Sequence, residues 1–352
     1  MTRLLSFLVC LALHLQGVSS WSVPSSRRSL LKQSSSSSSG QQQQQQRPLR
    51  SLSILNNAAA ATGIPAPEDA AVTTEESSTE AVEVSPKLSK KERLQKQALK
   101  EGGIFTFNTK YGALNPYAIY YGVTSIFLGL FWFVALTGLQ FFYFLTGGRV
   151  DKRKRMVNFV SQIWGETLMF LVRARPELVG KKELNEFYKK NEAAMFVANH
   201  NSWLDIPFVG GMIGWRNYKL VSKAELGRVP ILGKAIKLGG HIMVDRSNRK
   251  SQIKTLRQGM DLLKNGIHLC TFPEGTRTKN GRLLPFKNGA FKMAHKVGAP
   301  IIPLSIVGSG EAMPYYWMFP FRTARGVGAK VIIHAPIASD DKTEEELAKQ
   351  VR

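Results

Sequence analysis

The stretch Asn199-His200-Asn201-Ser202-Trp203-Leu204-Asp205 follows a short hydrophobic run, Met195 to Ala198. His200 and Asp205 are five positions apart, and within one continuous helix their side chains would point about 140° apart. The two side chains can therefore meet only if a helix begins between them. Ser202 favours such a start, because its hydroxyl can cap the first turn with Asp205 at the third helical position of a capping box. This predicts that His200 lies on the loop before the helix, within reach of the Asp205 carboxylate.

The same residues allow a simpler interpretation. Ser202 and Asp205 could form an ordinary helix start, with His200 as a polar loop residue. Short motifs of this kind also occur by chance. The rest of the chain has to distinguish the two interpretations.

Residues 176–352 have the pattern of one α/β domain. Short apolar runs of strand length alternate there with segments of helical periodicity, which is typical of that class. The predicted strands are 194–197, 219–221, 241–244, 268–272, 301–306 and 331–334, and the predicted helices are 205–213, 229–238, 249–265, 289–297 and 342–352.

Three further blocks lie at predicted strand ends, where open α/β sheets place their ligand sites. They are 239–246 (Gly-Gly-His-Ile-Met-Val-Asp-Arg), 272–277 (Phe-Pro-Glu-Gly-Thr-Arg) and 297–303 (Val-Gly-Ala-Pro-Ile-Ile-Pro). Each block alone has a structural explanation: an ion pair between Asp245 and Arg246, a tight turn at Pro-Glu-Gly, and a helix C-cap at Gly298. Their succession after His200 favours a shared functional site.

The amino-terminal part of the chain has the composition of targeting and linker segments. Residues 1–20 combine Arg3, an apolar core and small residues before Trp21, which is typical of a signal peptide. Residues 21–67 are rich in Ser, Gln and Arg and contain no acid, which indicates a transit-peptide-like segment. Residues 68–110 are interpreted as a linker, with a short charged helix over 89–101 that lies outside the core.

The junction at Trp21 resembles the two-part presequence of algae with secondary plastids, in which a signal peptide precedes a transit peptide. The resemblance predicts a plastid envelope address. A protein of the endoplasmic reticulum membrane, or a secreted one with a low-complexity linker, remains the alternative.

Residues 115–175 are predicted to associate with a membrane. Residues 117–146 form an apolar stretch longer than the ~20 residues that cross a bilayer core, and the basic cluster Arg149, Lys152, Arg153, Lys154 and Arg155 follows it. That cluster places the following domain on the cytoplasmic-like side. Apolar residues then recur at helical spacing from Met156 to Leu171, either to face the membrane interface or to pack on a soluble core. Crossing the bilayer and lying in one leaflet are both compatible with this pattern.

The formal charge of +23 indicates an anionic partner, either an acidic membrane surface or nucleic acid. Nucleic acid is disfavoured, because the basic residues are dispersed and form no recognisable binding module. The two cysteines, Cys10 and Cys270, lie in very different segments and cannot make a disulfide framework.

Taken in order, the blocks 199–205, 239–246, 272–277 and 297–303 resemble the four motifs of the glycerolipid acyltransferase family. The stretches 223–226 (Lys-Ala-Glu-Leu) and 281–290 (Gly-Arg-Leu-Leu-Pro-Phe-Lys-Asn-Gly-Ala) resemble its 1-acylglycerol-3-phosphate branch. Met243-Val244 directly precedes Asp245, at the position where the family usually has an aromatic or apolar pair. The resemblance implies an α/β fold, with a mixed sheet flanked by helices and an N-terminal membrane-docking helix pair.

The resemblance also implies acyl transfer from acyl-CoA or acyl carrier protein to the sn-2 hydroxyl of lysophosphatidic acid, without a resident cofactor or metal. A neutral imidazole can take a proton from the attacking alcohol, so His200 is the predicted base and Asp205 its orienter. The turn Glu274-Gly275-Thr276-Arg277 is the predicted binder of the phosphoglycerol head. Lys223 is a candidate for the oxyanion or the phosphate. The pair Asp245-Arg246 is either acceptor-binding or structural.

Three alternatives stay open. One is an acyltransferase for another glycerophospholipid. Another is a metal-dependent phosphohydrolase in which His200, Asp205 and Glu274 hold a cation. The third is a non-enzymatic, basic membrane-binding protein.

Overall fold

The computed structural model describes residues 89–101, 105–110, 112–315 and 317–352. The predicted signal peptide, the transit-peptide-like segment and most of the linker lie outside the described residues. The helices of the described part are α1 (Lys90–Glu101), α2 (Pro116–Leu145), α3 (Arg155–Leu171), α4 (Lys181–Lys189), α5 (Asp205–Ile213), α6 (Leu232–Leu238), α7 (Arg249–Lys264), α8 (Gly289–Val297), α9 (Ser309–Ala312) and α10 (Glu344–Val351), with a 3-10 helix at Ala224–Arg228. The strands are β1 (Phe107–Thr109), β2 (Gly112–Leu114), β3 (Glu177–Val179), β4 (Met195–Ala198), β5 (Tyr218–Lys223), β6 (Ile242–Val244), β7 (His268–Thr271), β8 (Ile301–Val307) and β9 (Lys330–Ile333).

A seven-stranded mixed sheet organises the α/β part, in the order β3-β9-β8-β4-β7-β5-β6. Neighbouring strands from β8 to β6 are parallel, whereas β9 runs antiparallel to β8 and parallel to β3. The predicted α/β class and mixed sheet are confirmed. β1 and β2 form a separate hairpin.

Side chains alternate across the sheet and build a core on each face. Phe196 of β4 packs in the cluster that α3 and α5 cover, together with Phe208 and Met212. Its neighbour Met195 packs in the cluster that α7, α8 and α10 cover, together with Phe291. Because both faces are covered, β4 is buried throughout and its sequence is apolar without interruption.

The parallel strands fix where the predicted blocks lie. Blocks 199–205, 239–246 and 272–277 contain or follow the carboxyl ends of β4, β6 and β7, at one edge of the sheet. Block 297–303 instead leads into the amino end of β8, because Ile301 pairs with Met195 at the start of β4. Gly298 there has a φ of 68° and caps α8. Only three of the four blocks therefore meet at one edge, and the expectation that the fourth belongs to the site was wrong.

Helices α2 and α3 pack together as a hairpin. Trp132 stacks on Trp164 with ring centroids 4.3 Å apart and donates its indole N–H to Ser161. Asp151 holds the connecting turn, because its carboxylate accepts hydrogen bonds from Tyr143 and from the backbone N–H groups of Arg155 and Met156. Within the described residues, α2 is the one helix long and apolar enough to cross a membrane, with a mean hydropathy of 1.9 over its most apolar window.

The orientation of α3 differs from that of a freely lying amphipathic helix. The polar residues Asn158 and Gln162 face the α/β domain, where they donate to Tyr218 O and Gly210 O. Met156, Phe159 and Ile163 are exposed instead. The helical period of α3 was predicted, but its polar residues are the ones that bind the α/β domain.

The charged helix α1 is also partly built into the protein. Ala98 is fully buried in a small cluster with Ala113, Trp317 and Phe321. The expectation that residues 89–101 lie outside the core was wrong. One small residue on this charged helix, Ala98, is enough for the helix to pack on the cluster.

Two neutral histidines make the fold sensitive to acid. His241 Nδ1 accepts from Leu220 N and His268 Nδ1 accepts from Ala194 N. Burial, reinforced by Lys219 and Arg216 respectively, lowers the pKa of His241 to about 3 and that of His268 to about 4.

We expect the free energy of unfolding to fall as the pH drops from about 6.5 towards 4, because the unfolded chain then binds protons that the folded chain does not. Each histidine contributes at most about 1.4 kcal/mol per pH unit. Urea unfolding of the detergent-solubilised chain at a series of pH values measures the slope, and His268→Gln should reduce it. A stability that is flat or rises on acidification over this range would contradict the assignment.

Candidate active site

His200 lies on the loop between β4 and α5, and its side chain meets Asp205. Nδ1 of His200 is 2.8 Å from Oδ2 of Asp205, so the predicted contact is present. With Asp205 ionised, this bond places the imidazole proton on Nδ1 and leaves Nε2 with a free lone pair. Nε2 has no hydrogen-bond partner in the described part of the chain, and the His200 side chain is 15% exposed.

Asp205 is fully buried and organises the whole loop. The same Oδ2 atom accepts the backbone N–H of Asn201 at 2.6 Å and that of Ser202 at 2.8 Å. The helix begins at Asp205, so the predicted third helical position is the first, and Leu204 is the residue before the helix. The Ser202 hydroxyl donates to Met313 O and accepts the backbone N–H of Leu204 at 3.2 Å, but it does not accept the N–H of Asp205. The prediction of a helix start between His200 and Asp205 holds, although the full capping box does not form.

Phe272 fixes the other side of the imidazole. Its ring stacks on His200 with centroids 4.1 Å apart and an angle of 19° between the planes. The His200 ring is thus held by a hydrogen bond along one edge and by an aromatic face.

Glu274 is held by the backbone of two loops. Its side chain is buried, and its two oxygens accept the backbone N–H groups of His200 at 2.8 Å and Leu284 at 2.9 Å. A backbone bond from Thr278 N to His200 O, 2.8 Å long, runs beside it. Both carboxylate oxygens are therefore engaged by the chain itself. Glu274 braces the loop that carries His200, and its predicted place in the phosphate site stays a prediction.

Arg277 lies close to the His200–Asp205 pair. Its guanidinium stands 4.7 Å over the Trp203 ring, and Nη1 donates to Tyr315 O. Burial lowers the pKa of Arg277 to about 10, and the charge of Asp205 opposes that shift. The side chain is cationic at neutral pH and is held in place with further N–H donors to offer.

Two other cationic side chains, those of Arg246 and Lys287, lie at the turn of Gly275. Gly275 has a φ of 73°, and a Cβ there would lie 3.0 Å from Nζ of Lys287. Arg246 Nη1 donates to Gly275 O, so it joins the second block to the third. Burial lowers the pKa of Arg246, and Glu225 opposes that shift. Thr276 is exposed on the same turn.

The remaining predicted residues lie at the rim. Lys223 pairs with Glu225 at 3.1 Å and is about one-third exposed. Asp245 accepts from the hydroxyl and N–H of Ser247, so the expected Asp245–Arg246 ion pair does not form. Sequence reasoning missed Lys287, although it lies within the stretch 281–290 that carries the resemblance to a branch.

A separate cavity of about 1090 Å³ touches the same loop through Asn199 and Asn201. His200 and Arg277 are not among its lining residues. The His200 centre thus lies next to this cavity and not in its lining.

Comparisons with known proteins identify the family of the chain. A family model described as Acyltransferase matches residues 177–307. The "1-acyl-sn-glycerol-3-phosphate acyltransferase" of Limnanthes alba is 32% identical over 206 residues, which are 57% of this chain and 68% of that protein. The chain belongs to the acyltransferase family, in the 1-acyl-sn-glycerol-3-phosphate branch.

Other relatives of this acyltransferase are matched over a smaller share of their length. The "1-acyl-sn-glycerol-3-phosphate acyltransferase BAT2, chloroplastic" of Brassica napus is 32% identical over 189 residues, 53% of this chain and 51% of that protein. A Chlamydomonas reinhardtii acyltransferase is 35% identical over 167 residues, 47% of this chain and 48% of that protein. The chain therefore spans about half the length of these two relatives. The crystal structure of PlsC from Thermotoga maritima matches with a TM-score of 0.48 and 25% identity, over 66% of this chain and 92% of that one.

The bracing position of Glu274 can be tested by Glu274→Gln. A glutamine has one carbonyl oxygen, so one of the two buried N–H groups would lose its acceptor. We expect the free energy of unfolding of the acyltransferase to fall by about 1–3 kcal/mol. Glu186→Gln is the matched control, because Glu186 forms only an exposed ion pair with Lys189. Unchanged stability combined with weaker acceptor binding would instead support the predicted place of Glu274 in the phosphate site.

Proposed function

We propose that the chain transfers an acyl group from an acyl thioester to the sn-2 hydroxyl of 1-acylglycerol-3-phosphate, giving phosphatidic acid. The contact between His200 Nδ1 and Asp205 Oδ2 carries the proposal. It leaves Nε2 of His200 as a proton acceptor on a partly exposed loop. The Brassica napus and Limnanthes alba relatives are both named as 1-acyl-sn-glycerol-3-phosphate acyltransferases, which supports the proposed acceptor.

The reaction needs a base because an alcohol is a weak nucleophile at neutral pH. Nε2 of His200 takes the hydroxyl proton as the oxygen attacks the thioester carbonyl, and general-base help of this kind is worth ~10²–10⁴-fold. The new C–O bond forms first, and the C–S bond then breaks. The imidazolium returns its proton to the leaving sulfur, so a free thiol is released. Asp205 holds the ring in the productive tautomer and stabilises the imidazolium.

Arg277 is the proposed anchor of the acceptor phosphate. Its planar fork can pair two phosphate oxygens, and its stacking on Trp203 places it near the Asp205 end of the site. Arg246 and Lys287, which gather at Gly275, extend the positive surface. Lys223 adds a charge at the rim, and Thr276 offers a hydroxyl there. We propose a structural role for Asp245, because its carboxylate accepts a hydrogen bond from the Ser247 hydroxyl.

The donor is a thioester of coenzyme A or of acyl carrier protein, and the reaction as written uses no further cofactor. Both carriers present the same reacting group, a carbonyl bonded to sulfur. The proposal therefore concerns the chemistry at the carbonyl, and donor choice is measured by supplying both.

We further propose that α2 and α3 dock on a membrane. Large apolar side chains are exposed along both helices, among them Ile119, Val123, Phe127, Phe131, Val134, Phe141, Phe144, Met156, Phe159, Ile163 and Phe170. A continuous exposed apolar surface of this extent marks an interaction site. A lysophospholipid acceptor dissolves in such a membrane, so docking brings the enzyme to its substrate.

Docking in one leaflet suits this helix pair better than crossing. Buried residues recur along α2 from Ala118 to Tyr143, so one side of the helix packs on the protein over nearly its full length. Lys234 donates to Thr137 at 2.7 Å, which would put a charged ammonium at hydrocarbon depth if α2 crossed the bilayer. A helix pair lying in the interface keeps that charge at the surface.

A plastid envelope is the proposed address. The order of the segments at Trp21 supports it, and so does the word "chloroplastic" in the name of the Brassica napus relative. The endoplasmic reticulum membrane is the alternative.

The other functions make different predictions in the same assay. A phosphohydrolase would release phosphate and lose activity with a chelator, whereas a non-enzymatic membrane protein would show neither product. Within the described residues, no group of three His, Cys, Asp or Glu side chains is placed to hold a metal ion. An acyltransferase for another glycerophospholipid would prefer an acceptor without a free phosphomonoester.

His200→Ala should lower acyl transfer by ~10²–10⁴-fold, because the hydroxyl proton loses its acceptor. Asp205→Asn should remove most of the rate, because the imidazole of His200 would no longer be held with its proton on Nδ1. The measurement uses purified membranes, lysophosphatidic acid and both thioester donors, with and without chelator. His295→Ala is the matched control, since His295 lies in α8 and its imidazole contacts Ser339 O, outside both the site and the adjoining cavity. Near wild-type turnover of His200→Ala would contradict the mechanism.

Arg277→Lys should raise the apparent KM for lysophosphatidic acid by ~10–100-fold, which corresponds to the ~1.5–3 kcal/mol of a hydrogen bond to a charged group. A lone ammonium keeps the charge but cannot form the bidentate pair. Arg282→Lys, on the exposed neighbouring loop, provides the control. An unchanged KM for the acceptor would remove Arg277 from the site.

A further inference from the structure

A small polar pocket lies at the opposite end of the sheet from His200. It has a volume of about 110 Å³ and is lined by Arg153, Arg155, Tyr188, Arg216 and His268, among others. Tyr218 and His268, the first residues of β5 and β7, pair with each other here. The volume corresponds to a few water molecules of ~30 Å³ each, which is the scale of one phosphate group.

His268 offers a buried donor to this pocket. The residue is 7% exposed, and its Nδ1 atom accepts the Ala194 N–H at 3.1 Å. Burial lowers the pKa of His268 to about 4, so the ring is neutral and its proton lies on Nε2. This Nε2–H has no hydrogen-bond acceptor among the residues that the structure describes. An anion in the pocket could accept this N–H.

Arg216 is held rigidly beside it. Its guanidinium lies 3.5 Å from the centroid of the Tyr188 ring, and the Tyr188 hydroxyl is itself buried without a hydrogen-bond partner. Stacking leaves the edge of the guanidinium and its N–H donors free to bind an anion.

The basic loop after α2 completes the pocket. Asn217 donates to Arg153 O at 3.2 Å and accepts from Asn158 at 2.8 Å, so the loop is tied to the start of β5. In the described structure, the side chains of Arg153, Arg155 and Arg216 form no ion pair. Glu192 is the one carboxylate in the lining. The local charge is therefore strongly positive.

Two apolar side chains, Phe159 and Trp215, line a neighbouring smaller cavity that shares Arg155, Arg216 and Asn217 with this pocket. Phe159 packs against Trp215 with ring centroids 5.2 Å apart, and both rings are more than half exposed. Phe159 continues the exposed apolar surface of α3, and Trp215 directly precedes Arg216. Aromatic side chains next to arginines are typical of the level where acyl chains meet headgroups.

We propose that this pocket binds the phosphate of an anionic membrane phospholipid, at a site separate from the acceptor site. The proposal rests on the membrane docking of α2 and α3 proposed above. The bound headgroup accepts hydrogen bonds from His268 and Arg216. It thereby holds the enzyme on the membrane at the end far from His200. The helix pair then supplies apolar attachment, and the pocket supplies recognition of anionic lipid.

The test measures binding of the full-length chain to vesicles of phosphatidylcholine, alone or mixed with phosphatidylglycerol. Arg216→Gln should weaken binding to the mixed vesicles by at least ~10-fold, as expected for a charge-assisted pair in a fixed pocket. It should leave binding to pure phosphatidylcholine unchanged. Lys152→Gln is the matched control: it removes one charge from the same loop outside the pocket lining and should cost about fivefold. Arg153→Gln is a second pocket variant that leaves the Tyr188 stack intact, and it should behave like Arg216→Gln.

Three results would overturn the proposal. Equal losses for Arg216→Gln and Lys152→Gln would show a diffuse basic surface without a site. An Arg216→Gln variant that lost binding of inorganic phosphate but bound the mixed vesicles as tightly as the wild type would assign the pocket to free phosphate. Failure to bind either kind of vesicle would remove the membrane docking as well, while acyl transfer to a soluble short-chain acceptor would still report on the His200 site.

Discussion

The site depends on one buried carboxylate oxygen. Oδ2 of Asp205 accepts the imidazole of His200 and the backbone N–H groups of Asn201 and Ser202. A buried charge is tolerated only when it is hydrogen-bonded or paired. These three donors satisfy Oδ2 and the cation of Arg277 lies nearby, while Oδ1 is buried without a hydrogen-bond partner in the described structure. Because the donors come from consecutive loop residues, stabilising the charge also determines the path of the loop. The same interaction therefore folds the loop and orients the proposed base.

A second carboxylate makes this local arrangement part of the whole sheet. Glu274 accepts the N–H of His200 with one oxygen and that of Leu284 with the other, so it joins the loops that follow β4 and β7. Arg246 adds the loop after β6 through Gly275 O. The parallel strands β4, β7 and β6 thus deliver three loops to one edge of the sheet, and side chains lock the loops to each other. This rigidity supports catalysis by positioning, which is what a base without a covalent step requires.

Much of this arrangement can be predicted from sequence, for identifiable reasons. The helix start between His200 and Asp205 follows from local spacing, and β4 follows from its uninterrupted apolar run. β3 has only three residues and α4 only nine, of which Leu184 and Phe187 are buried, so neither was predicted. The bracing by Glu274 could not be predicted, because its partners lie 74 and 10 residues away. The inward orientation of Asn158 and Gln162 was not predicted. The helical period of α3 shows which residues share a face, but the α/β domain that packs against the helix decides which face is buried.

The central claim is that His200 activates the hydroxyl of the bound acceptor, so the enzyme itself never carries the acyl group. Initial-rate kinetics with both substrates varied, combined with a search for labelled protein after mixing with radiolabelled acyl thioester alone, tests it most directly. The account predicts intersecting double-reciprocal lines and no label on the protein. Parallel lines together with a trapped acyl-enzyme, the pattern of ping-pong covalent catalysis, would contradict it.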